Sequence, residues 1–129
     1  MENILIDTDV VIEYLRSKDK PSTELINLLQ AEHDVLLSSI SEFELFLGVK
    51  TDRHRNDLEI IFNEVDVIAF DFGCGEIAAD IWKSLQSTHQ HVEIKDIFIA
   101  SVAINNDMWL RTFNKKHFQR VKKLKIWDQ

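Results

Sequence analysis

Short β-rich runs alternate with segments of helical period along the whole chain, and that alternation constrains the fold more than any other feature. Ile4-Leu5-Ile6 is an apolar run with no polar interruption. A strand that does not alternate is one covered on both faces, which predicts a central position for residues 3–7 in a parallel sheet. Residues 8–17 follow with Val11, Ile12 and Leu15 at helical spacing, and Pro21 opens a second helix that buries Leu25, Ile26, Leu28 and Leu29.

The same rhythm continues to the end. Residues 34–39 read as the second strand, and Ser39 or Ser41 is placed to cap the helix carrying Glu44. A helix is expected over 52–63, a third strand over 65–70, and helices over 76–87 and 94–105. Residues 108–112 make the fourth strand, 115–120 a short helix and 124–127 an edge strand. The prediction is a three-layer α/β/α sandwich around a mainly parallel sheet of about five strands, formed by a single domain over residues 1–129.

Composition narrows the function classes. No apolar run approaches the roughly 18–20 residues needed to span a bilayer, and the start Met1-Glu2-Asn3 lacks the basic opening of a signal peptide, so the expected location is cytoplasmic, with no membrane partner. Cys74 is the only cysteine, which rules out an internal disulfide and a cysteine-based zinc site. The net charge of −7 speaks against a polyanionic partner until its distribution is considered. Seven of the 15 basic residues fall in the last 19 positions, where Asp128 is the only acid, so a tail of +6 follows a body of −13. That tail is either a solubilising end or a phosphate-binding strip beside an acidic body.

Four separate segments set an acid or amide beside an apolar run: Ile6-Asp7-Thr8-Asp9, Phe43-Glu44-Leu45, Asp96-Ile97-Phe98-Ile99-Ala100 and Thr112-Phe113-Asn114. In parallel sheets ligands collect outside the carboxyl ends of the strands. Asp7, Glu44, Asp96 and Asn114 are all expected at that end. Carboxylates confined within about 4 Å repel by several kcal/mol at an effective dielectric near 20, and a cation between them removes the repulsion. Magnesium or manganese suits such an oxygen donor set. Each residue also has a purely structural reading: Asp7 and Asn114 as helix caps, Asp96 as a first-turn acid, Glu44 as a helix-edge surface residue. Asp9 is placed to line the rim.

At these residues the chain resembles the PIN-domain ribonucleases, and in particular VapC-like toxins of bacterial toxin–antitoxin pairs. The resemblance covers nearly the full length. Asp7-Thr8-Asp9 is similar to the family's Asp-Thr-Asn opening, Glu44-Leu45-Phe46-Leu47-Gly48 to its Glu-Leu-x-x-Gly helix, and Asp96-Ile97-Phe98-Ile99-Ala100 to its Asp-x-x-Ile-Ala helix. Thr112-Phe113-Asn114-Lys115-Lys116-His117-Phe118 is similar to the final Thr-x-Asn/Asp-x-x-Asp-Phe motif. Two positions depart from that pattern, Asp9 in place of Asn and His117 in place of Asp. The resemblance implies a PIN-like fold and magnesium- or manganese-dependent cleavage of RNA. Asp7, Glu44 and Asp96 would hold the metal, with Asn114 assisting directly or through water. Lys115, Lys116 and Arg120 would receive the RNA backbone, and Asp9, Thr112 and His117 would be accessory. It further implies inhibition by a cognate antitoxin protein, and homodimerisation.

Two other readings share part of the pattern. Asp7-Thr8-Asp9-Val10-Val11 matches the opening of haloacid-dehalogenase-like phosphatases, with Asp7 as nucleophile. Those enzymes need a later Gly-Asp motif that this chain lacks. A non-enzymatic phospho-receiver domain would use Asp71 as its acceptor and leaves Glu44 and Asp96 unexplained.

Overall fold

The computed structural model describes residues 1–128. Five strands form one sheet in the order β3-β2-β1-β4-β5, with every pairing parallel. They are β1 (Asn3–Ile6), β2 (Asp34–Ser38), β3 (Asp66–Ile68), β4 (Trp109–Arg111) and β5 (Lys125–Ile126). The uninterrupted run Ile4-Leu5-Ile6 is the middle strand, as its composition predicts. Ile4 and Ile6 enter one core with Val10, Leu25, Leu37 and Leu58, whereas Leu5 points to the other with Ile99, Val102, Leu110 and Phe118. Successive side chains leave a strand on opposite faces, so a strand buried on both sides must be apolar at every position.

Helices cover the two faces: α1 (Thr8–Arg16), α2 (Glu24–Gln30), α3 (Ser39–Leu47), α4 (Asp52–Glu64), α5 (Phe72–Ser87), α6 (Ile94–Asn105) and α7 (Lys115–Phe118). No helix among the described residues is long and apolar enough to cross a membrane. The three-layer α/β/α arrangement matches the expectation, and the differences are local. α5 begins at Phe72, four residues before the predicted start at Glu76, because Asp71 caps it by accepting from the Cys74 amide at 3.2 Å. The cap outweighs the poor helix propensity of Gly73 and Gly75. α3 is capped by Ser38 rather than Ser39 or Ser41, with Ser38 Oγ accepting from the Ser41 amide at 3.1 Å. Ser39 Oγ instead accepts from the Phe70 amide.

The strand order also bears on the rival readings. In receiver-type sheets the order is 2-1-3-4-5, with the third strand inside the sheet. Here β3 is an edge strand, and Asp71 is occupied as a helix cap.

Candidate active site

Each central acid owes its place to a helix start or a helix face at the carboxyl end of the sheet. β1 stops at Ile6 and Asp7 turns the chain into α1, with Asp7 Oδ1 accepting from the Thr8 amide at 2.8 Å. Thr112, just past neighbouring β4, donates its hydroxyl to Asp7 Oδ2 at 2.8 Å. Thr112 Oγ1 in turn accepts from the Asn114 amide at 3.0 Å, which ties the chain after β4 to the start of α1. Asp7 therefore does cap its helix, but only one of its oxygens is used for that.

Glu44 reaches the same end from α3. Thr8 Oγ1 lies 2.7 Å from Glu44 Oε1 and 2.9 Å from Ser41 Oγ. Lys95 donates to Glu44 Oε2 at 3.0 Å. Asp96 lies in the first turn of α6, with its carboxylate 3.5 Å from His117 Nδ1. The apolar neighbours of Glu44 divide: Leu45 is buried, while Phe43 and Leu47 are 63% and 73% exposed. Glu44 thus emerges from a helix whose outer face is apolar surface.

Asp7, Asp9, Glu44, Asp96 and Asn114 all line one cavity of about 300 Å³, together with Glu93, Lys95 and His117. Asn114 is exposed, and its side-chain amide donates to Asp9 Oδ2 at 3.2 Å, as does the Phe113 amide at 3.1 Å. Glu93 and Lys95 were not singled out from the sequence. Both sit within three residues of Asp96, at the entry to its helix, and that adjacency is the signal that could have found them.

The electrostatics follow from burial and crowding. Asp7 is 6% exposed, and its pKa is raised to about 6, first by burial and then by the charge of Asp9. Burial also raises Asp96, assisted by the charge of Asp7, and burial raises Asp9. The donors are all hard oxygens and the acids are uncomfortable in each other's company, as an oxygen-seeking cation requires. Asp9 Oδ1 is buried and has no hydrogen-bond partner among the described residues, which leaves a free lone pair beside the cavity. Among the described residues no three His, Cys, Asp or Glu side chains are already gathered tightly enough to chelate an ion. Lys95 stands as a counterion to Glu44 and the His117 ring lies against Asp96, so the residues suit a divalent metal only if those two contacts give way.

The basic tail separates into paired and unpaired groups. Arg111 pairs with Glu24, Lys115 with Asp128 and Lys125 with Asp107. Lys116 and Arg120 have no ion-pair partner among the described residues, and both line a small cavity with Glu93 and His117 next to the carboxylates.

Known proteins agree with this architecture. Ribonuclease VapC19 of Mycobacterium tuberculosis is 28% identical over 114 residues, 88% of this chain and 90% of that protein. Ribonuclease VapC1 of Methanocaldococcus jannaschii is 27% identical over 128 residues, 98% of this chain and 88% of the relative. In the solved structure of VapBC2 from Rickettsia felis bound to a promoter DNA fragment, one chain superposes with a TM-score of 0.85 at 23% identity. The match covers 98% of this chain and 99% of the other, and it shows a shared fold. The PIN-domain family profile matches residues 4–124, a span that includes every cavity carboxylate and Asn114. With that match over nearly its whole length, the chain belongs to the PIN-domain family.

Proposed function

We infer that the protein is a metal-dependent endoribonuclease, the toxin of a toxin–antitoxin pair. The observation that carries this reading is the convergence of Asp7, Glu44, Asp96 and Asn114, from four separated segments, on one cavity in a PIN-domain chain. The curated relatives named above are ribonucleases, in agreement with that chemistry.

Magnesium or manganese is the cofactor this donor set fits, held by Asp7, Glu44 and Asp96 with Asn114 directly or through water. Such an ion lowers the pKa of bound water and stabilises charge on a phosphoryl oxygen. The protein's own residues do the rest. Thr8, in the cavity wall, and Thr112, behind it, fix the carboxylates of Glu44 and Asp7 by hydrogen bonds. His117 stands beside Asp96 in the cavity wall. Lys116 and Arg120 take the RNA backbone, and Lys115 joins them once it leaves Asp128. Contacts of this kind give affinity and position more than sequence choice.

The partners are RNA, a cognate antitoxin protein and a second copy of the chain, all in the cytoplasm. The exposed Phe43, Phe46 and Leu47 lie at helical i, i+3, i+4 spacing on α3 and give a partner chain an apolar face. The VapBC2 structure of Rickettsia felis, by its name a two-component assembly, supports the antitoxin reading.

The test is cleavage of total RNA by wild type, Asp7→Asn and Asp96→Asn, each with magnesium, with manganese and with chelator. Wild type should cut only with metal, and both variants should fold and be inactive. Cleavage that persists in both variants would remove the proposed site.

A further inference from the structure

The cavity of the carboxylates shares two of its lining residues with a second one. Glu93 and Lys95, which line the first, also line a cavity of about 570 Å³ completed by Trp82 and Gln86 of α5 and by His91. Trp82 is 48% exposed. Of the three tryptophans, Trp127 is buried and Trp109 half-buried, and these two pack edge to face. Trp82 has no such ring partner among the described residues. A large ring left half in water at the wall of a mostly apolar cavity is a surface without an occupant.

The wall opposite Trp82 is braced. Arg120 donates to the carbonyl oxygen of His91 at 2.8 Å, and the Gln90 amide donates to the Leu85 carbonyl at 2.9 Å. His89 between them takes a φ of 56°, a left-handed turn that sends the chain back toward α6. This short connection is held by both hydrogen bonds.

We propose that this second cavity seats one unstacked RNA base next to the cavity where the phosphodiester is cut, with Trp82 as the stacking surface and Gln86 as the polar edge. The proposal rests on the ribonuclease reading and deepens it. Proteins that take single-stranded nucleic acid combine aromatic faces for the bases with cations for the backbone. Here Lys95 stands at the shared wall, and Lys116 and Arg120 line the adjoining cavity with His91. The lining is mostly apolar surface, with Trp82, Val92 and Ile94 in it, and Gln86, His91, Glu93 and Lys95 add polar and charged groups. An apolar aromatic face beside the carboxylate cavity, with Lys116 and Arg120 close by, is the combination that takes a stacked base and its backbone.

The experiment titrates short single-stranded oligoribonucleotides into wild type, Trp82→Phe and Trp82→Ala in chelator, reading tryptophan fluorescence and affinity. A parallel series carries single abasic residues, and far-UV circular dichroism checks the fold of each variant. Binding should quench wild-type fluorescence. Trp82→Phe should keep affinity within about twofold while losing most of the quench, and Trp82→Ala should bind about tenfold more weakly. One abasic position should reproduce that loss in wild type and add little in Trp82→Ala. With metal, Trp82→Ala should raise KM while largely keeping kcat.

Wild-type affinity in Trp82→Ala, with RNA cleavage intact, would overturn the base seat and leave the ribonuclease reading standing. So would unchanged RNA affinity in Trp82→Ala accompanied by weaker binding of a partner protein or a second copy. A wild-type protein that neither binds nor cuts any RNA would bring down both.

Discussion

Lys95 Nζ stands 3.0 Å from Glu44 Oε2, so the first residue a cation would meet at Glu44 is another cation. The pair joins α6 to α3 across 51 residues of sequence. Hydrogen bonding to Glu44 raises the Lys95 pKa, so the ammonium stays charged throughout the working range.

A divalent ion has to displace that ammonium or share the carboxylate with it. Lys95→Gln should therefore tighten magnesium binding, by roughly two- to fivefold, since a partly exposed pair of this kind is worth up to about 1 kcal/mol. Isothermal titration with magnesium and manganese checks this. Weaker metal binding in Lys95→Gln would mean that Lys95 supports the site rather than competing for it.

Asp7 makes the metal-free protein sensitive to pH. Its folded pKa of about 6 lies above the ordinary 3.8, so the folded state binds the extra proton between those values. Stability from this group is full below about pH 4 and is lost as pH rises through 6. Asp7→Asn should be more stable than wild type in chelator at pH 7.5, by up to about 3 kcal/mol, with the gap closing as pH falls toward 4. Urea denaturation at three pH values measures it. Because protons and metal compete for the same carboxylate, magnesium should raise the melting temperature more at pH 7.5 than at pH 5.

Thr112 is 2% exposed and serves two partners, donating to Asp7 and accepting from the Asn114 amide. Thr112→Val leaves both unsatisfied and should cost about 1–3 kcal/mol in denaturant unfolding. The lost hydrogen bond had been lowering the Asp7 pKa, so the acid limb of the pH–rate profile should move upward. Thr112→Ser keeps the hydroxyl and should behave as wild type on both measures.

Lys115 and Lys116 are adjacent in sequence and unequal in structure. Lys115 is held by Asp128 at 2.8 Å, and Lys116 is unpaired among the described residues. Lys116→Glu should weaken RNA binding more than Lys115→Glu and reduce the magnitude of the salt slope by about 0.7, one counterion released from a single strand. Affinity measured across a salt series distinguishes them, and equal effects would show that the Asp128 pair does not survive near RNA.

Much of the architecture was legible because it is encoded locally. Ile4-Leu5-Ile6 announced a strand covered on both faces, and it is the middle of the sheet. The start of α5 was less legible, since the cap at Asp71 and the glycines that follow it send opposite signals. Asp7, Asp96 and Asn114 could be nominated because each marks a strand end or helix start beside an apolar run, and Glu44 because it interrupts an apolar stretch within a helix.

The sequence by itself determined which segments become strands and helices and where along them the acids and the amide fall, because hydrophobic period and capping act over a few residues. Only the tertiary structure decided which side chains meet. It set Lys95 against Glu44, Thr112 beneath Asp7 and Trp82 in the cavity next to that of the carboxylates. Those meetings join residues far apart in the chain, and they are fixed by how the crossover helices pack on the sheet, which no local pattern encodes.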